Sequence, residues 1–164
     1  MFNYLKVYKW GGHDMANIAL IIAGGVGQRT HQDIPKQFIN VRDKPIIIYT
    51  LEMFQKHPNI DCITVVCLDG WHQILQAYCK QFGITKIESI VTGAETGLLS
   101  IRNGLNDIAT RHMGDDDIVL IHDAIRPMVS LDIISDNIRV CRQYGNAGLS
   151  RKVCKFIPPT LSAA

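Results

Sequence analysis

Short apolar runs rich in β-branched residues alternate along this chain with longer stretches of helical period. The runs Ile18–Ile22, Ile63–Leu68, Lys86–Val91 and Ile118–Ile121 predict four buried strands. Between them, Pro45 followed by Ile47, Leu51 and Phe54 predicts one helix. Trp71, Ile74, Leu75, Tyr78 and Phe82 form the stripe of a second, with Gly83 as its stop, and Leu98, Ile101, Leu105 and Ile108 mark a third. Ser130 is placed to cap a fourth helix with Ile134, Ile138 and Cys141 on one face and Gly145 at its end. Such alternation predicts an α/β fold: a Rossmann-like, open, mostly parallel sheet with helices on both faces.

The two ends fall outside this pattern. Residues 1–16 carry scattered aromatics and a Gly-Gly break, and predict an irregular extension, with Met15 a possible native start. Residues 17–149 make one α/β domain, the one that carries the candidate binding chemistry, and residues 150–164 predict an irregular tail. The length of 164 residues suits one such domain. The net charge of +2 divides into +1 for residues 1–16, −2 for 17–149 and +3 for 150–164. Acidic and basic residues are mixed in the domain, with one acidic turn expected at Asp115–Asp117, so no basic face points to nucleic acid. The longest apolar run, Ile18–Ala23, is too short to cross a membrane, and no secretory leader is evident. Five cysteines without a Cys-x-x-Cys pair suggest reduced thiols and a cytoplasmic protein.

Candidate chemistry concentrates after the first predicted strand, in Ala23-Gly24-Gly25-Val26-Gly27-Gln28-Arg29 followed by Pro35-Lys36-Gln37. Glycines at the carboxyl end of a parallel strand let backbone N–H groups surround phosphate oxygens. Arg29 and Lys36 bring positive charge to the same place, and Pro35 fixes the backbone before the lysine. A plain tight turn is the competing explanation. A Walker loop is excluded because no Gly-Lys-Ser/Thr follows. A dinucleotide fingerprint fails for want of its third glycine and of an acid at the right distance, Asp69 being too far on.

Together with Phe38, Gly93–Ser100 and His122-Asp123-Ala124-Ile125-Arg126-Pro127, this segment resembles the CTP-dependent alditol-phosphate cytidylyltransferases, over roughly Ile18 to Leu149. Those enzymes act on 2-C-methyl-D-erythritol 4-phosphate or on D-ribitol 5-phosphate. The resemblance implies transfer of CMP from CTP with release of pyrophosphate, Mg²⁺ on the nucleotide, and a homodimer. It implies Lys36 and Arg29 as catalytic cations, Lys36 on the α-phosphate. Ala23, Gly24, Gly25 and Gly27 would line the nucleotide, Gly93 and Ser100 would touch the cytidine, and Ala124 belongs to the same nucleotide-binding set. Asp123 would hold Mg²⁺ or the ribose, a turn cap being the bland alternative. Arg126 is expected to pair structurally, and His122, the other histidines, the cysteines and the Trp71 stripe to pack in the core or lie at the surface. Phe38 and Gly24-Gly25 incline toward the ribitol-phosphate branch.

Two departures from the family pattern stand out. Gly97 occupies a position where many members carry arginine, and residues 150–164 match neither the family's dimer arm nor its late lysine. A chain cut short or shifted in frame is therefore expected, and a nucleotide-binding remnant without turnover is the alternative to an active enzyme.

Overall fold

The structure, a computed structural model, describes residues 6–11, 15–25, 34–112 and 115–148. Among these residues run eight strands and four α-helices: β1 (Lys6–Gly11), β2 (Asn17–Ala23), β3 (Asn40–Val41), β4 (Lys44–Pro45), α1 (Ile46–Lys56), β5 (Cys62–Cys67), α2 (His72–Gln81), β6 (Ile87–Thr92), α3 (Gly97–Ala109), β7 (Asp115–Asp123), α4 (Leu131–Tyr144) and β8 (Asn146–Gly148). A 3₁₀ turn at Lys36–Phe38 precedes the small β3–β4 hairpin.

The main sheet runs β6-β5-β2-β7-β1-β8, and its first four strands are parallel. Alternation along each strand sends side chains to opposite faces. Ile18 and Leu20 of β2 join Val66, Val119 and Ile121 under Ile108, Leu105 and Ile101 of α3. Ala19 and Ile21 face the other way, into the larger core made with α1, α2 and α4. Helices thus cover both faces, as the sequence predicts. Gly104 sets the close approach of α3: a Cβ there would lie 2.5 Å from Leu20 Cδ1 and 2.8 Å from Val66 Cγ2.

The caps follow from local chemistry. Thr96 Oγ1 accepts from Leu99 N–H at 3.2 Å at the start of α3, and Ser130 Oγ accepts from Ile133 N–H at 3.3 Å at the start of α4. Gly145 ends α4 at φ 81°, a left-handed conformation that glycine adopts without strain.

Four expectations need correction. The extension over residues 1–16 is not irregular throughout: β1 pairs antiparallel with β7, from Lys6 opposite Ile121 to Gly11 opposite Asp115, and also with β8. Asp115–Asp117 open β7 instead of forming a turn, and buried Asp117 accepts the Ala16 N–H at 2.8 Å. Pro45 caps α1 and does not occupy its first turn. Ile74 and Leu98, placed on the apolar stripes of their helices, are exposed, because Leu75 and Cys79 carry the contact of α2 and Ser100, Gly104 and Ile108 that of α3. The tail at 150–164 lies outside the described residues.

Candidate nucleotide site

A cleft of about 610 Å³ opens beyond the carboxyl ends of β2, β5, β6 and β7. In an open α/β sheet this is where ligands bind, because the connecting loops diverge there. Ala23, Gly24, Gly25, Lys36, Gly93, Ser100 and Asp123 all line it, so seven of the residues singled out in the sequence meet at one concavity. Gly27 and Arg29 lie outside the described residues. Ala124 does not reach the cleft: it is fully buried, its N–H donates to Ile22 O at 3.0 Å, and its carbonyl accepts the Thr50 hydroxyl at 2.7 Å. Both its backbone groups are thus hydrogen-bonded within the fold, one to β2 and one to α1.

Lys36 is held from three directions. Pro35, at φ −58°, starts the 3₁₀ turn, and its carbonyl accepts the Phe38 N–H at 2.8 Å. Phe38 is buried and stacks on Trp71 with ring centroids 4.6 Å apart, tying the turn to the start of α2. Gln37, 1% exposed, points back into the glycine loop, where its Nε2 donates to Ala23 O at 2.7 Å and to Gly25 O at 3.3 Å. The lysine and the backbone it serves are therefore one unit. Sequence reasoning quoted Gln37 within its motif without giving it a task; its signal was its place next to Lys36.

The opposite wall is built around Ser100. Its hydroxyl accepts the Ala94 N–H at 2.9 Å and donates to Ala94 O at 3.3 Å, so it fixes the loop carrying Gly93 from the first turn of α3. A Cβ on Gly93 would lie 3.0 Å from Gly24 Cα, and one on Gly24 would lie 3.2 Å from Gly93 Cα. Two backbones touch here, and glycine at both positions allows it. Gly97 also lines the cleft, and a side chain there would meet open space. Asp69, Glu95 and Thr96 complete this side; Glu95 and Thr96 lie within the Gly93–Ser100 stretch without having been given a role, and Asp69, a lone acid after a strand, carries no spacing signal.

Asp123 stands at the end of β7, and Arg126 Nε donates to its Oδ2 at 2.7 Å. The Asp123 side chain is 43% exposed. The arginine pairs structurally, as expected, and also lines the cleft. Among the described residues no donor engages the second carboxylate oxygen, Oδ1. A partly exposed carboxylate with one oxygen to spare fits Mg²⁺, which takes one or two carboxylates and fills its other positions with phosphate and water. His122 is buried behind this loop, its Nε2 2.9 Å from Arg126 O and its ring 5.4 Å from that of Phe54. Burial lowers its pKa below the ordinary histidine range, although the Arg126 carbonyl opposes this. It packs in the interior, as the sequence suggested. Burial also pushes the Cys67 thiol, at the end of β5, up to about 11, which leaves it protonated and unsuited to nucleophilic attack.

No helix among the described residues is long and apolar enough to cross a membrane. Residues 17–153 match the family IspD, 2-C-methyl-D-erythritol 4-phosphate cytidylyltransferase. The chain is 46% identical over 129 residues to a ribitol-5-phosphate cytidylyltransferase of Lacticaseibacillus paracasei, covering 79% of this chain and 55% of that protein. It is 38% identical over 142 residues to a 2-C-methyl-D-erythritol 4-phosphate cytidylyltransferase of Clostridium botulinum, covering 87% and 58%. The crystal structure of the Francisella tularensis 2-C-methyl-D-erythritol 4-phosphate cytidylyltransferase is similar at TM-score 0.56 and 33% identity, over 77% of this chain and 52% of that one. The chain thus spans a little over half the length of the curated relatives it matches. A glycine loop clamped to a lysine turn, at the strand ends of this α/β sheet, agrees with the match over residues 17–153: the chain belongs to the IspD cytidylyltransferase family.

Proposed function

We propose that the cleft binds CTP and supports transfer of its CMP group to an alditol phosphate with release of pyrophosphate. The observation that carries this is the coupling of Lys36 to the glycine loop through Gln37 at the rim of the cleft. In such a transfer an oxygen of the acceptor phosphate bonds to the α-phosphorus of CTP as the α–β bridging bond breaks, and the electron pair leaves on pyrophosphate. The acceptor phosphate is already ionised, so no protein base is required. Negative charge grows on the α-phosphate oxygens, and fixed positive donors there lower the barrier.

The residues of the chain take roles accordingly. Lys36 offers its ammonium to the α-phosphate, and Arg29, by family resemblance, adds a second cation. The Gly24–Gly25 backbone lies against the triphosphate without Cβ interference. The loop from Gly93 to Ser100 borders the cytidine side, its shape set by the Ser100 hydroxyl. Asp123 is the residue to hold Mg²⁺, which when bound supplies charge neutralisation on the phosphates. Arg126 keeps that carboxylate oriented.

D-Ribitol 5-phosphate is the acceptor of first choice, because the proteins bearing that name match at up to 46% identity against 38% for those named for methylerythritol phosphate. Pyrophosphate release with CTP, Mg²⁺ and each acceptor in turn tests the proposal: release with ribitol 5-phosphate supports it, and CTP binding weaker than UTP or ATP binding refutes it. A second reading is nucleotide binding without turnover. Calorimetric CTP binding with no pyrophosphate from either acceptor would single it out.

A further inference from the structure

A second cluster of reactive side chains sits at the other end of the sheet. Cys62 opens β5, Glu88 follows the start of β6, and His112 comes just after α3. β5 ends at Cys67, whose carbonyl accepts the Gly93 N–H beside the cleft. At about 3.3 Å of rise per residue, Cys62 therefore lies on the order of 16 Å from that cleft. Nothing in CMP transfer uses these three residues.

Their ligand atoms all lie within 4.8 Å of one another. His112 Nε2 is 3.6 Å from Cys62 Sγ and 2.8 Å from Glu88 Oε2. Both contacts fall on the same ring nitrogen. A nucleophile–base–acid relay would use the two nitrogens separately, one facing the thiol and the other the carboxylate. Here the three donors converge on one point. Tetrahedral zinc at about 2.3 Å from sulfur and 2.0–2.2 Å from nitrogen and oxygen separates S from N by about 3.6 Å and N from O by about 3.4 Å. The first gap is already present, and the second needs Glu88, a partly exposed side chain, to withdraw by about half an ångström.

We propose that Cys62, Glu88 and His112 form a three-ligand site for a borderline-soft divalent ion of the zinc class, with water in the fourth position on the solvent side. A thiolate, an imidazole and a carboxylate suit zinc, whereas the hard Mg²⁺ of the nucleotide site prefers oxygen alone. The backbone supports the placement: the Arg111 and His112 N–H groups both donate to Ile108 O, at 2.9 and 2.8 Å, and fix His112 at the C-terminus of α3, where the helix dipole favours a cation. Arg111 shares Glu88: its Nε ion-pairs with the same Oε2 at 3.4 Å, while its Nη2 pairs with Asp107 at 2.7 Å and donates to Thr64 Oγ1 at 3.2 Å, so a bound ion would take the carboxylate's other lone pairs or its second oxygen.

The test is an anaerobic titration of the full chain with Co²⁺, read by thiolate-to-cobalt charge-transfer absorption and by visible bands of tetrahedral intensity. One equivalent bound, displaced by Zn²⁺ and untouched by excess Mg²⁺, is expected. Cys62→Ser should abolish the charge-transfer band, and His112→Gln or Glu88→Gln should weaken Co²⁺ binding by at least about tenfold. Cys79→Ser, a change at a buried thiol on α2, should leave the band in place. Absence of the band in the wild-type chain, or its survival in Cys62→Ser, overturns the proposal. Should Cys62→Ser fail to fold by circular dichroism, His112→Gln at the helix end decides, since unchanged Co²⁺ affinity there is equally fatal.

Discussion

Replacement of Gln37 probes the link between the lysine turn and the glycine loop. Its side chain is almost wholly buried, and its amide gives one N–H to Ala23 O at 2.7 Å and one to Gly25 O at 3.3 Å. Gln37→Leu keeps most of the volume and deletes both donors. The Ala23 carbonyl, in a buried bond, is then left unsatisfied at about 1–3 kcal/mol. The longer bond to Gly25, whose residue is exposed, adds about 0.5–1 kcal/mol because water can replace it. The expected loss is about 1.5–4 kcal/mol, and Gln37→Glu should exceed it because carboxylate oxygens would face carbonyl oxygens. Urea unfolding gives the stability loss, and CTP calorimetry under folding conditions gives the effect on the loop. Binding should weaken by more than tenfold in either variant even where the protein remains folded. A Gln37→Leu protein within about 0.5 kcal/mol of wild type and with unaltered CTP affinity would refute the clamp.

Three other outcomes follow from the packing. Gly104→Ala should destabilise by about 1–3 kcal/mol in urea despite better helix propensity, since its Cβ would meet Leu20 and Val66 at 2.5 and 2.8 Å; a more stable variant would mean α3 sits farther from the sheet. Gly93→Ala, with its Cβ 3.0 Å from Gly24 Cα, should impair CTP binding more than it lowers the unfolding midpoint, whereas equal CTP affinity would show the two loops free to part. His57 concerns pH. Its Nδ1 accepts the Asn59 N–H at 3.2 Å, and its pKa is lowered chiefly by burial, against an opposing bond to Leu131. The unfolded chain then binds more protons than the folded one below about pH 6.5, so stability is full above that value and falls as pH drops toward the depressed native pKa. Urea midpoints across that window should fall less steeply in His57→Gln; an identical slope would exclude this histidine as the cause.

The parallel strands and helices were legible in the sequence because each carries its own signal. β2, β5, β6 and β7 are β-branched runs, α3 carries an apolar stripe from Ile101 to Ile108, and α4 starts at the Ser130 cap. The antiparallel strand β1 was not legible: its register joins Lys6 to Ile121, more than a hundred residues away, through backbone bonds that no local pattern announces. The β3–β4 hairpin was missed because its turn places Arg42 and Asp43 at φ 49° and 65°, where glycine or asparagine is the usual cue. At the site, the glycines and Lys36 stood out by their order after a strand. Ala124 was drawn in by its place in the His122–Pro127 motif, although burial had already committed its backbone. Asp69 and Arg126 reach the cleft only through the sheet geometry that brings β5 and β7 to one edge.

The central claim is that Lys36 meets the phosphates of CTP at the mouth of the sheet. Equilibrium binding of labelled CTP to the wild-type chain and to Lys36→Gln, in the same Mg²⁺ buffer and with matched circular dichroism, addresses it without requiring turnover. One charge-assisted bond is worth about 1.5–3 kcal/mol, so a loss of about ten- to one-hundred-fold is expected. Equal affinity in the two proteins would contradict the assignment of the cleft to a nucleotide triphosphate.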